Sequence, residues 1–258
     1  MNAAYSIFRK DLAIYLKSYP AYLAAAVFLA ISGYFFYWEL NYFSVVSYRI
    51  ASSPHLANQA MNLTEAVVST FFMNVGVLLL LVLPMISMRA FAEERKMGTL
   101  EALLTYPVSD AAVLMGKFTS VWLIGLLMIA PTGLFILLAH FFGGVFDWRV
   151  ITTAYGGLIL LSSAFTALGL LASAVTESQL VSAVLSFGFL LLFWMIGWGA
   201  ELLDHGPAAF LNGLSIFEHY RNFTKGIVHL RDIVYFIFFV SFFLIITKEW
   251  LGARRWIR

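Results

Sequence analysis

The residues of this sequence best suited to chemistry are its five histidines, since imidazole is a common metal ligand in proteins. No two of them stand four residues apart, the spacing that would place two ligands on one face of a helix, and the chain has no cysteine. The pattern therefore favours structural histidines, with a metal site as the less favoured alternative. The five are His55, His140, His205, His219 and His229.

Sequence motifs of catalysis are absent. The chain has no Gly-x4-Gly-Lys-Ser/Thr loop for nucleotide phosphates, no His-Glu-x-x-His zinc motif and no Gly-x-Ser-x-Gly nucleophile elbow. We therefore expect neither enzymatic activity nor a bound cofactor in this chain by itself.

Charged side chains concentrate in one segment, residues 89–117. Within it, Met97, Leu100 and Leu104 share one helical face, and Pro107 would end that helix. A serine or aspartate soon afterwards could cap the next helix. Spacing alone favours a short interfacial helix with solvated charges. The alternative is a rigid segment that transmits the movement of a partner protein to the neighbouring elements.

The elements that position these residues follow from composition. Of the 258 residues, 62% are hydrophobic and only 12% are charged, which is unlike a soluble domain. So few charges cannot cover a polar surface, and the solvent must be lipid. Apolar runs of about 20 residues predict an all-α, polytopic membrane protein with six transmembrane helices in a single domain over residues 1–258. The predicted spans are residues 21–40, 68–88, 118–141, 149–175, 180–200 and 232–248.

Two predicted connections are unusual. Residues 176–179 form the only plausible turn between Arg149 and Glu201, because one helix of that length would exceed any bilayer. Residues 201–231 are too apolar for a simple linker, and they predict a short re-entrant or amphipathic helix lying in the outer leaflet.

The distribution of charge predicts the orientation. Eleven of the sixteen Lys and Arg residues fall in the N-terminal segment, the loop 89–117 and the C-terminal tail. Cytoplasmic segments are rich in these residues, so both termini and this loop are expected in the cytoplasm. Few charges fall inside the predicted spans, whereas ion-driven carriers usually bury carboxylates there. This favours a transporter that is driven by an energy source outside the membrane over an ion-driven carrier.

Small residues are frequent in the fourth predicted span, where they let transmembrane helices approach closely. Gly156, Gly169 and Ser173 are predicted to lie at such a packing seam, and the last two stand four residues apart. The alternative is the general use of small residues in membrane helices.

One contiguous stretch carries a pattern that extends beyond spacing: Phe91-x-Glu93-Glu94-Arg95-x-x-Gly98-Thr99-Leu100-Glu101-x-Leu103-Leu104-x-x-Pro107-Val108-Ser109, followed by Gly116-Lys117. In these residues the chain resembles type-2 ABC exporter permeases. Its opening Lys10-Asp11-Leu12 and its C-terminal residues are similar to those of the gliding-motility-associated ABC permeases. The C-terminal residues include Ser215, His219, Phe223, Gly226, Asp232 and Tyr235.

The resemblance implies a type-2 ABC exporter transmembrane domain whose loop 89–117 contains a coupling helix. That helix would dock on a separate cytoplasmic ABC ATPase subunit, present in two copies, which binds the ATP. The permease would act in the bilayer of the bacterial inner membrane as a homodimer or with a paralogous permease. A periplasmic auxiliary subunit is left open, and no nucleic acid is expected. The residues implied in coupling are Glu93, Glu94, Arg95, Gly98, Thr99, Leu100, Glu101 and Pro107.

Two other functions stay open at this point. The chain could be a membrane scaffold or anchor that recruits a partner without moving a substrate. It could also be a permease for copper-site assembly, because a related permease type serves that process. The sequence does not name a substrate.

Overall fold

A computed structural model describes residues 3–52, 63–99, 108–200 and 205–256, and within these ranges the chain is almost wholly helical. We number the α-helices in chain order. The first six are α1 (Ala3–Lys17), α2 (Tyr19–Ser52), α3 (Thr70–Ser87, preceded by a π-helical turn over Thr64–Ser69), α4 (Arg89–Lys96), α5 (Asp110–Ile129) and α6 (Gly133–Phe141). The others are α7 (Trp148–Val175), α8 (Gln179–Ala200), α9 (His205–Leu214), α10 (Ile216–Thr224) and α11 (Leu230–Trp256).

The six predicted spans are confirmed as six helices long and apolar enough to cross a membrane. The predicted turn at residues 176–179 is present, because α7 ends at Val175 and α8 begins at Gln179. Several spans are longer than predicted. The first continues to Ser52 and the sixth to Trp256. The third begins at Asp110, where the side chain of Ser109 caps α5 by accepting a hydrogen bond from the Ala112 N–H.

Helix α7 is the centre of the bundle. In its apolar stretch 72% of the residues are buried, whereas the share in the peripheral helix α2 is 17%. It packs against α3, α5, α8, α10 and α11, and also against the short helix α4. A movement of α4 therefore acts directly on the helix that most of the other helices share.

Close packing of α7 depends on two of its glycines. A Cβ atom added at Gly157 would lie 2.5 Å from Cβ of Phe223 in α10, and one added at Gly169 would collide with the side chain of Ser87 in α3. Gly156 instead faces open space among the described residues, so the sequence prediction chose the wrong member of the Gly156–Gly157 pair. One residue of difference turns a helix by about 100°, enough to move a position off a packing face.

The segment before the sixth span contains two short helices, α9 and α10, where the sequence predicted one. Helix α10 is amphipathic and buries Ile216, Tyr220 and Phe223 against the bundle. The hydroxyl of Tyr220 donates to the carbonyl oxygen of Phe72 in α3, at 2.7 Å. Gly226 ends this segment with φ +79°, a conformation that side-chain-bearing residues rarely adopt. The segment is therefore part of the packed bundle.

Substitution of the neighbouring glycines tests this packing. Gly157→Ala should lower the free energy of unfolding by about 1–3 kcal/mol, because overpacking forces α10 away from α7. Gly156→Ala is the matched control and should change stability little or raise it slightly, since its Cβ meets nothing. Thermal unfolding of the purified protein in detergent measures both. Equal midpoints for the two variants would contradict the contact between α7 and α10.

Candidate functional site: the short helix after the second span

The charged segment predicted from the sequence begins with α4. This helix starts one residue after α3, so that only Met88 separates it from the second span. It ends at Lys96 with Met97 as the C-cap, and Gly98 follows with φ +71°, the left-handed conformation that commonly terminates helices. The hydroxyl of Thr99 closes the end by donating to the carbonyl oxygen of Glu94 at 3.2 Å. The helix is therefore short and well terminated.

The first turn of α4 is capped by a residue from another helix. The hydroxyl oxygen of Ser173 in α7 accepts hydrogen bonds from the backbone N–H groups of Phe91 and Ala92, both at 3.0 Å, and donates to the carbonyl oxygen of Met88 at 2.9 Å. The first N–H groups of any helix lack partners within it, so this serine replaces a local cap. Ser173 was predicted only as a small packing residue, and no sequence pattern indicates its partners.

The last turn of α4 is also tied to α7. The Arg95 guanidinium donates to the carbonyl oxygen of Val175 at 3.1 Å, at the C-terminal end of α7. A cation there also interacts favourably with the helix dipole. Ser173 and Arg95 therefore hold α4 to the same end of α7 at two points.

A buried ammonium group lies behind α4. The side chain of Lys117 in α5 is only 2% exposed, and its Nζ lies 2.8 Å from Oε2 of Glu94 and 3.3 Å from Oδ2 of Asp11. It also donates to the carbonyl oxygen of Ala90 at 2.6 Å and lies 5.1 Å from the centre of the Phe91 ring. A buried charge is tolerated only when it is paired and hydrogen-bonded, and Lys117 meets both conditions.

The second carboxylate of this cluster comes from α1, a helix that was not predicted from the sequence. Asp11 lies on the buried face of α1 with Ile7 and Tyr15. Gly116 lets α1 lie against α5, because a Cβ there would lie 2.8 Å from the carbonyl oxygen of Ala4. The hydroxyl of Tyr15 donates to the carbonyl oxygen of Ile86 at 3.2 Å, and burial raises the pKa of Tyr15 above its ordinary value.

An exposed lysine of α1 completes the cluster. Nζ of Lys10 lies 3.1 Å from Oε1 of Glu94 and 3.7 Å from Oδ1 of Asp11. Partial burial alone would lower the pKa of Lys10, but Glu94 and Asp11 outweigh it and raise that pKa. We call Lys10, Asp11, Glu94 and Lys117 the charge cluster. It contains two cations and two anions, so α1, α4 and α5 are joined without a net charge.

The coupling residues predicted together have different environments. Glu94, Arg95 and Thr99 form bonds within the chain, and their role in coupling stays a prediction. Gly98 is exposed at the end of α4, and Glu93 is partly exposed. Leu100, Glu101 and Pro107 lie outside the described residues. The residue that the prediction missed is Met97, whose side chain is 62% exposed at the tip of α4.

Charge is also buried near the start of the sixth span, contrary to the expectation that charges avoid the spans. Asp232 in α11 is 2% exposed, and its carboxylate lies 2.6 Å from Nδ1 of His219 and accepts a hydrogen bond from Asn222 at 2.8 Å. The His219 ring stacks on Tyr235, with 4.0 Å between the ring centres. Three residues of the C-terminal pattern noted in the sequence, His219, Asp232 and Tyr235, therefore form one contact group with Asn222 between α10 and α11.

Metal-ligating side chains are not clustered in the part of the chain that the structure describes, where no group of three or more His, Asp or Glu residues could hold an ion. Nδ1 of His140 lies 2.9 Å from the carbonyl oxygen of Gly144, within its own loop. His55 lies outside the described residues.

The arrangement around α4 is a mechanical junction. One short helix with an exposed tip is joined at its back to α1 and α5 through the charge cluster, and at both ends to α7. In a sequence comparison, the family described as ABC-2 family transporter protein matches residues 5–248. The chain belongs to this family. No curated protein matches the sequence significantly.

Membership of the ABC-2 family makes the chain a membrane-spanning permease subunit of an ABC transporter. The family is generally non-catalytic, and its members partner an ATPase subunit. The match covers nearly the whole chain, so all six spans and α4 belong to the ABC-2 region. It does not extend to the gliding-motility-associated group, and the finer resemblance in the C-terminal residues stays a prediction.

Removal of the Ser173 hydroxyl tests the cap that α7 provides for α4. Ser173→Ala should lower the free energy of unfolding by about 1–3 kcal/mol, because two buried N–H groups lose their acceptor. Ser163→Ala is the control, since the Ser163 hydroxyl only donates to the Leu160 carbonyl of its own helix. Amide hydrogen exchange at residues 91 and 92 should accelerate in Ser173→Ala alone. Unchanged protection of these two amides would contradict the cap.

Removal of the buried ammonium tests the charge cluster. Lys117→Met should lower the free energy of unfolding by about 3–5 kcal/mol, because Asp11 and Glu94 are left without their buried partner. Lys248→Met, which removes an exposed ion pair with Glu249, should cost at most about 1 kcal/mol. Addition of Asp11→Asn to Lys117→Met should restore part of the loss. Thermal unfolding of the unchanged chain and the three variants measures these effects. If Lys117→Met lowers the stability no more than Lys248→Met does, the charge cluster is contradicted.

Proposed function

We propose that this chain is the permease of an ATP-driven ABC exporter and that the ATPase, a separate chain, docks against the tip of α4. The observation that supports this most is the position of α4. Its tip is exposed to solvent, while hydrogen bonds hold its first and last turns to α7. A partner bound to Met97 and Gly98 would push on a helix that cannot yield independently. The ABC-2 family membership supports the class of partner.

The route of the push follows from the contacts of α4. One branch passes through Ser173 and Arg95 into α7, which packs against five of the other helices. The other passes through the charge cluster into α1 and α5. Because α1 is joined to α2 by Ser18 alone, a movement of α1 would tilt the first span. Tilting of the first, second and fifth spans would open an outward path at the interface with a second permease.

The remaining features of the proposed machine come from the sequence. Two ATPase subunits bind the ATP, and the permease pairs with itself or with a paralogue. The excess of Lys and Arg supports a cytoplasmic position for both termini and the tip of α4. The resemblance to type-2 ABC exporter permeases supports the bacterial inner membrane as the location of the chain. A periplasmic auxiliary subunit is compatible with this arrangement. The similarity to gliding-motility-associated permeases concerns the type of machine and implies no gliding.

The docking surface can be tested at its exposed methionine. The chain is co-purified with the ABC ATPase encoded nearest to its gene, and ATPase activity is measured in lipid nanodiscs. Met97→Asp should weaken the association about tenfold or more, because a buried interface anchor is typically worth more than 1 kcal/mol. Met97→Leu keeps an apolar side chain and should retain both association and ATPase activity.

The outcomes of transport and binding measurements distinguish an exporter from a scaffold. ATP-dependent movement of a substrate in sealed vesicles supports an exporter, whereas nucleotide-controlled binding of a partner without translocation supports a scaffold. If Met97→Asp assembles and stimulates the ATPase as well as the unchanged chain, the docking surface is wrong. Unfolding midpoints must match between the two Met97 variants for the comparison to hold.

A further inference from the structure

A cleft of about 550 Å³ separates α1 from α4 beside the charge cluster. On α4 it is lined by Arg89, Glu93 and Met97, which stand four residues apart and therefore share one face. On α1 it is lined by Ile14 and by Ser18 at the start of α2. Lys117 and the other members of the charge cluster form its inner wall.

The cleft lies at the level of the membrane surface. Ser18 directly precedes the first span, and Arg89 follows the last residues of α3 after one intervening residue. Ile14, which lines the cleft, is 56% exposed, and Tyr19, which follows the lining residue Ser18, is 81% exposed. Tyrosine is enriched at this depth of a bilayer, where its ring meets the headgroups. Lipid headgroups therefore have direct access to the cleft.

Two charged residues that line the cleft do not belong to the charge cluster. Arg89 has one weak contact, from its guanidinium to the Ser18 hydroxyl at 3.5 Å. The Glu93 carboxylate has no hydrogen bond or ion pair among the described residues. Although they stand one helical turn apart, the two side chains are not paired with each other. Besides the charge cluster, the cleft thus presents one cation and one anion, about 5–6 Å apart at their Cβ atoms.

We propose that this cleft binds the headgroup of a phospholipid that carries both a phosphate and a primary ammonium. The phosphate would accept hydrogen bonds from the Arg89 guanidinium and the Ser18 hydroxyl, and the ammonium would donate to the Glu93 carboxylate. The acyl chains would leave past Ile14 and Tyr19 into the bilayer. A purely anionic headgroup fits less well, because it would leave Glu93 facing a negative charge.

The consequence for the transporter rests on the proposed function, although the binding itself does not. A headgroup in the cleft would contact α1 through Ser18 and α4 through Arg89 and Glu93. It would add a third connection between the first span and the helix that receives the push. Coupling to the ATPase would then depend on the headgroup composition of the membrane.

Native mass spectrometry of the purified permease, without any ATPase, tests the binding. The delipidated chain is titrated with phosphatidylethanolamine, phosphatidylcholine and phosphatidylglycerol of identical acyl chains. One phosphatidylethanolamine per chain should bind in preference to the other two. Arg89→Gln should weaken its binding about tenfold, the usual effect of losing one charge-assisted contact of about 1.4 kcal/mol. Arg89→Lys should recover part of the loss.

Glu93→Gln separates headgroup recognition from general lipid binding. It should abolish the preference for phosphatidylethanolamine over phosphatidylglycerol, because the partner of the ammonium is gone while that of the phosphate remains. Lys17→Gln is the control, since Lys17 is an exposed cation of α1 that does not line the cleft, and it should leave the preference unchanged.

Three results would overturn the proposal: equal binding of all three lipids, a preference that survives Glu93→Gln, or displacement of the lipid by soluble glycerophosphoethanolamine at equal concentration. The last would show that the cleft recognises a soluble zwitterion instead of a lipid. Because no ATPase is present, these failures are distinct from a failure of the docking surface at Met97, which is measured by ATPase association.

Discussion

The burial of the Lys117 ammonium is the constraint on which the rest of this site depends. An ammonium taken out of water costs several kcal/mol unless anions and hydrogen-bond acceptors surround it. Helix α5 cannot supply these partners to its own side chain. Asp11 therefore comes from α1, and Glu94 and the carbonyl oxygen of Ala90 come from α4. One charge thus dictates that three helices, distant in the sequence, meet at one end of the bundle.

The same requirement explains the connection between α4 and α7. A short helix has more unpaired N–H and carbonyl groups, relative to its length, than a long one. Near a membrane these groups have little water to bond to, so they need partners in the protein. Ser173 of α7 accepts from the first N–H groups of α4, and Arg95 of α4 donates to the terminal carbonyl of Val175 in α7. Hydrogen-bond satisfaction and mechanical connection are therefore produced by the same atoms.

Each end of the bundle buries a charged group, but the partners of that group differ. At one end an ammonium is buried between carboxylates, and at the other the carboxylate of Asp232 is buried against an imidazole and an amide. The first group joins helices that border an exposed tip and an open cleft. The second joins α10 to α11 and is closed by the stacked ring of Tyr235. Only the first is placed to respond to a partner or a headgroup.

Much of the fold was determined by the sequence alone. Apolar run length set the six spans and the turn at residues 176–179, because the thickness of a bilayer admits few other arrangements. The charged pattern around Glu93 and Glu94 located the functional segment, and the cap at Ser109 could be read from local hydrogen-bonding rules. Each of these depends on interactions between residues close together in the chain, or between the chain and lipid.

The tertiary structure decided the roles of individual residues. It paired Glu94 and Arg95 with groups of the same chain and left Met97 at the surface, and it made Gly157 rather than Gly156 the contact glycine. It also turned Lys117 from a charge at the foot of a span into the centre of a cluster. These assignments depend on pairs that are far apart in the sequence, such as Lys10 with Glu94 and Phe91 with Ser173. Helical periodicity leaves such pairs open, because it gives the face of each helix and not the neighbour that the face meets.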